Sequence, residues 1–175
     1  MKNWGKSKFG QVDESRRKAL GQLAAGGGLL AMGVSSARSE QKDGSKVDDL
    51  RFPGDEPEHK VVYQFNHSAK EYQEHVIFSV GAVLRQYGDN VKIVVTCFGP
   101  GIHILAKKPG RPVSNEIQQR VSSLNVYGVE FHACGNTMKS LKWTKKDLVE
   151  FAKVVEVGAS DLIELQEKGF SYINW

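Results

Sequence analysis

Two cysteines in 175 residues are too few for a disulfide-dense scaffold and for a four-cysteine zinc or iron–sulfur centre within one chain. Five prolines exclude a collagen-like rod. One apolar run, residues 20–34, approaches the length of a membrane span, so a multi-span membrane protein is excluded. No internal repeat is present. The sequence does have an ordinary globular balance, 40% hydrophobic and 25% charged, which excludes a wholly disordered chain and suits one domain.

The net charge of +4 sits entirely in the first 37 residues, where Lys2, Lys6, Lys8, Arg16, Arg17 and Lys18 face only Asp13 and Glu14. The remaining 138 residues carry 18 basic and 18 acidic side chains. Such a neutral body lacks the basic face that nucleic acid requires, so the sequence implies no nucleic-acid partner.

The basic segment has the anatomy of an export signal. Ser15-Arg16-Arg17-Lys18-Ala19-Leu20-Gly21 leads into the Gly/Ala-rich run at 20–34, and Ser35-Ser36-Ala37 offers small residues for cleavage. Paired arginines before a weakly apolar core resemble a twin-arginine signal. Gly26-Gly27-Gly28 would weaken an ordinary surface helix by about 1 kcal/mol each, which argues against that alternative. Cleavage after Ala37 gives a periplasmic protein; an uncleaved signal leaves the chain on the membrane by that segment alone. Residues 38–58, polar and broken by Gly44, Pro53, Gly54 and Pro57, read as a linker, and residues 59–175 as the globular domain.

Strand and helix patterns alternate through that domain. Strands are expected at 60–66, 91–97, 129–134, 154–155 and 170–173. Between them helices are expected at 69–87 after a Ser68 cap, at 114–124 after a Ser114 cap, and from 159 or 160 to 168. Shorter helices are expected at 102–106 and, from a capping box at Thr144–Asp147, through Phe151. Alternation of this kind makes an α/β fold with a parallel sheet covered on both faces.

Ligands of open parallel sheets bind beyond the carboxyl ends of the strands. Asn66 and His67 follow the first strand there, Cys97 and the Gly99-Pro100-Gly101 turn follow the second, and Cys134 ends the third. Cys134 runs into Gly135-Asn136-Thr137-Met138, a turn whose N–H groups can face a sulfur anion and favour the reactive thiolate. His132, two residues earlier, shares a strand face with Cys134 and can either assist the thiolate or be structural. His67 and His103 border the same crevice as acid, anion binder or plain surface. No ligand pair has metal-motif spacing, and the Gly99–Gly101 turn is neither a dinucleotide fingerprint nor a P-loop. The sequence thus implies no metal and no cofactor.

Three stretches carry a family resemblance. They are Val94-Val95-Thr96-Cys97-Phe98-Gly99-Pro100-Gly101, then Gly128 through Cys134-Gly135-Asn136-Thr137-Met138, then Gly158 through Leu165-Gln166-Glu167-Lys168-Gly169-Phe170-Ser171-Tyr172-Ile173. Together they resemble the DsrE/DsrF-like sulfur-relay family over about residues 60–174. The resemblance implies a three-layer α/β/α fold with a five-stranded, mainly parallel sheet, and a homo-oligomer, trimer or hexamer. It also implies a persulfide-carrying cysteine, matched here by Cys134. Two features depart from the family: the export signal, and Phe98 where a histidine often precedes the Gly-x-Gly turn. If the second and third strands are neighbours, Cys97 and Cys134 come within disulfide range and their pairing would block persulfide loading.

Two functions follow. One is a periplasmic sulfur-binding or sulfur-transfer protein carrying sulfane sulfur on Cys134, with a protein partner in sulfur or redox metabolism. The other is a non-catalytic accessory subunit of an exported redox complex, contacting partners through aromatics such as Trp143 and Trp175. A Cys97–Cys134 redox dithiol ranks below both, lacking a Cys-x-x-Cys arrangement.

Overall fold

The computed structural model describes Phe52 and residues 54–175. The expected export signal and most of the expected linker lie outside the described residues. Five strands, β1 (His59–Phe65), β2 (Val91–Cys97), β3 (Glu130–Cys134), β4 (Lys153–Val155) and β5 (Ser171–Ile173), form one sheet in the order β4-β3-β2-β1-β5. All four pairings are parallel, with Phe65 opposite Cys97, Cys97 opposite Ala133 and Cys134 opposite Val155. The helices are α1 (Lys70–Tyr87), α2 (Asn115–Val126), α3 (Gly135–Leu141) and α4 (Gly158–Glu167).

Period-two alternation sorts the strand residues onto two faces. Tyr63, Phe65, Ile93, Val95, Cys97 and Phe131 pack with Val76 and Val80 of α1 and Val121 of α2. Val62 and Val94 point the other way, onto Leu162 and Leu165 of α4 and onto Phe170. The three-layer α/β/α architecture is therefore present, with a sheet parallel throughout. The central strands are apolar on both faces because helices cover both.

Local chemistry sets the boundaries. Ser114 caps α2, its Oγ accepting from the Ile117 N–H at 3.2 Å. Gly88, at φ 58°, ends α1. Three sequence expectations need correction. Ser68 does not cap α1; Ala69 occupies that position without a side-chain bond, and the Ser68 carbonyl instead accepts from Gln73 Nε2 at 2.8 Å. The segment after Cys134 is a helix, α3, rather than a turn. The capping box at Thr144 and Asp147 is formed, yet only one 3-10 turn, Lys145–Asp147, follows it. Leu148 there leaves the helical path to bridge Ala106, and the Val149 N–H bonds the Leu105 carbonyl at 2.9 Å.

Candidate functional site

Cys134 is both the last residue of β3 and the N-cap position of α3, so its side chain lies where the strand ends and helical N–H groups begin. One N–H bonds its sulfur, and further donors stand beside it. The Gly158 N–H, from the first residue of α4, reaches Sγ at 3.2 Å. The Thr137 hydroxyl and the N–H groups of Thr137 and Asn136 stand nearby and favour its anion, while the Asn136 N–H donates to the Glu156 carbonyl at 3.2 Å. Thr137 Oγ1 itself accepts from the Gly99 N–H at 3.0 Å, which leaves its proton free for the sulfur.

Burial acts against ionisation here, since Cys134 is only 5% exposed. The Thr137 hydroxyl, then the Gly158, Thr137 and Asn136 N–H groups, outweigh that burial and hold the thiol below its ordinary value. The thiolate is the nucleophile, so the arrangement favours thiol-exchange chemistry.

Close packing fixes the donors. A Cβ added at Gly158 would stand 3.1 Å from the Cβ atoms of both Cys134 and Phe98, so the helix approaches as it does because no side chain intervenes. A Cβ at Gly101 would run into the Phe65 carbonyl, so this glycine lets the loop after β2 lie against β1. The expected residues Gly135, Asn136, Thr137 and Gly99 therefore meet at Cys134, and Gly101 supports the loop that carries Gly99.

Other expected residues are placed elsewhere. Cys97 is fully buried on the α1/α2 face, while Cys134 is on the α4 side of the sheet; both thiols are free. Neighbouring strands alone do not bring the two sulfurs together, because odd and even positions face opposite ways. Burial pushes the Cys97 thiol well up, so it is inert as a nucleophile. His132 does face α4, but Nδ1 is 2.9 Å from Asp161 Oδ2 and Nε2 is 3.6 Å from Glu130 Oε2. Both ring nitrogens thus face carboxylates rather than the sulfur. His67 is exposed, with its ring on Tyr72. His103 is buried against Trp143, its Nδ1 accepting from the Gly110 N–H at 3.1 Å. Desolvation first, and Arg111 second, lower its basicity.

Gly158 and Asp161 were not among the sequence candidates, although both bear on the site. Asp161 sits with Leu162 and Leu165 on the buried side of α4, and an acid at such helical spacing to leucines was a readable signal. No comparable signal singles out the backbone N–H of Gly158. Among the described residues there is no group of three or more His, Cys, Asp or Glu side chains arranged to hold a metal.

Comparison with known proteins agrees with this fold. The chain is similar to the Methanobacterium thermoautotrophicum protein MTH1491, itself of unknown function, at 26% identity and a TM-score of 0.61, over 67% of this chain and 99% of that one. It is also similar in fold to the ychN protein of E. coli, at 13% identity and a TM-score of 0.57, with the same coverage. No curated protein matches the chain. The model of the DsrE/DsrF-like family matches residues 49–175, nearly three quarters of the sequence, and the chain belongs to that family.

Proposed function

We propose that this protein is a periplasmic sulfur carrier that holds sulfane sulfur as a persulfide on Cys134. The observation that carries the reading is a nearly buried cysteine whose sulfur accepts from the Gly158 N–H at 3.2 Å, at the start of α3. Family membership supports the same chemistry, since the family is associated with sulfur relay.

The Cys134 thiolate attacks the outer sulfur of a donor persulfide, forming a Cys134 S–S bond while the donor's S–S bond breaks. The donor leaves as a thiolate and takes up the proton released from the incoming persulfide. An acceptor thiolate reverses the step, and no net oxidation occurs. The same donors that stabilise the thiolate stabilise the terminal persulfide anion. The residue Cys134 is only 5% exposed, which suits a slender donor rather than a broad surface.

Incubation with a small-molecule persulfide, followed by cyanolysis of bound sulfane sulfur, tests the assignment. About one sulfur per chain is expected for the wild type and for Cys97→Ser, and none for Cys134→Ser. Loading that survives Cys134→Ser would contradict it. Export is part of this reading: Arg16→Lys with Arg17→Lys is expected to keep the protein out of the periplasmic fraction.

A second reading, a non-catalytic accessory or interaction subunit of an exported redox complex, is favoured by one feature. Phe78 and Tyr127 are 62% and 73% exposed beside a cavity of about 920 Å³ between α1 and α2, on the layer opposite Cys134. Sedimentation of the exported protein, alone and from native extract, distinguishes a trimer or hexamer from a hetero-complex. The accessory reading expects indifference to Cys134→Ser, which the carrier reading does not.

A further inference from the structure

The buried polar groups on the α4 face have no part in sulfur exchange as described above. Asp161 is 8% and His132 8% exposed, and Thr96 is fully buried. The Thr96 hydroxyl donates to Asp161 Oδ2 at 2.7 Å, and His132 Nδ1 lies 3.0 and 2.9 Å from the two carboxylate oxygens. One side chain on α4 is therefore tied at once to β2, through Thr96, and to β3, through His132. Thr96 and His132 are register partners on those neighbouring strands, so they form a single anchoring point.

That anchor lies one helical turn from Gly158, whose N–H meets the sulfur. Gly158 and Asp161 are three residues apart in the first turn of α4, a spacing that places them on the same side of the helix. The helix is continuous between them, with the Asp161 N–H bonded to the Val157 carbonyl at 3.0 Å. Gly158 meets Cys134 and Phe98 with no side chain between, so the distance from its N–H to the sulfur follows the height of this turn above the sheet.

We propose that Asp161, held by Thr96 and His132, is a positioning residue that sets the reach of the Gly158 N–H to Cys134 and thereby tunes the acidity of the sulfur. The inference rests on Cys134 being the working group, but concerns its ionisation and is measurable without any sulfur donor. Simple electrostatics and positioning have opposite signs at this site. Removing a nearby negative charge favours a thiolate, so Asp161→Asn acting through charge lowers the Cys134 pKa. Loosening the turn weakens a donor to the thiolate, and so raises it.

The test is the ultraviolet thiolate absorbance of the full exported protein as a function of pH, with Cys97 replaced by alanine so that one thiol titrates. Asp161→Asn and Thr96→Val are each expected to raise the titration midpoint, leaving about threefold to tenfold less thiolate on the acid side. Glu130→Gln removes the other carboxylate beside His132 without touching α4, and is expected to leave the midpoint in place. Thr96→Val adds and removes no charge, so it carries the test if Asp161→Asn does not fold. A midpoint that falls or stays put in the folded Asp161 and Thr96 variants overturns the inference. So does an equal rise in Glu130→Gln, because the effect would then not depend on the tie to α4. Failure of sulfur loading with these midpoints as expected would instead count against the carrier reading alone.

Discussion

At Cys134 two effects of opposite sign meet in one side chain. Burial favours the neutral thiol, and hydrogen bonds to the sulfur favour the anion; the bonds prevail. Thr137→Val removes the hydroxyl beside the sulfur while keeping the shape, so it is expected to raise the thiol pKa and slow alkylation at neutral pH by about threefold to tenfold. A pH–rate profile with iodoacetamide checks this. In the wild type the rate is expected to rise with pH and level off below the pH at which an ordinary cysteine does, because the thiolate reacts and its folded pKa is lowered. Gly101 is constrained by space instead. A methyl group there meets the Phe65 carbonyl, so Gly101→Ala is expected to cost about 3 kcal/mol, read as a lower urea midpoint.

The elements carry the site through their ends. Residues β2 at 91–97, α2 with its Ser114 cap and the glycine stop after α1 were legible because each has a local signature: a β-branched run, an N-cap hydroxyl, a left-handed glycine. Ser114→Ala is expected to lose about 1 kcal/mol of stability, measured by denaturant unfolding. The helix α3 was not legible. It is seven residues long, begins with glycine and buries only Met138, so it has no apolar period to detect. The helix expected after Thr144 stops early because a capping box reports how a helix starts, whereas the bridge from Leu148 to Ala106 decides where it stops. Of the site, Cys134 and the Gly135-Asn136-Thr137 donors were readable from one stretch of sequence. Gly158 and Asp161 come from an element 24 residues and more downstream, and only the crossover brings them back.

Asp161 also links this element to pH. Burial raises its carboxyl, while hydrogen bonds from His132 and then Thr96 lower it, with a net value below the ordinary one. Its folded pKa is thus depressed, so the stabilisation is present above the unfolded carboxylate pKa and is lost as pH falls through the folded one. Asp161→Asn is expected to flatten the acid side of a plot of unfolding midpoint against pH; an unchanged acid limb would contradict that assignment.

At the scale of the molecule, the sheet separates two kinds of cysteine. Cys97 faces the α1/α2 layer, fully enclosed, and Cys134 faces α4 among donors. The parallel sheet was legible from the alternation of strand and helix, whereas this separation depends on register and on which helix covers which face. It makes the two thiols distinguishable by experiment: under native conditions alkylation is expected at Cys134 alone, with Cys97 modified only after unfolding. Among the described residues no helix is long and apolar enough to cross a membrane.

Whether Cys134 carries sulfur is read directly from an intact non-reducing mass spectrum of the protein. The spectrum would be recorded before and after exposure to a small persulfide, with peptide mapping of both cysteines. Added mass of one sulfur or more is expected on the Cys134 peptide, removable by a thiol, with the Cys97 peptide unchanged. An unmodified Cys134, or one found permanently bonded to Cys97, would contradict it.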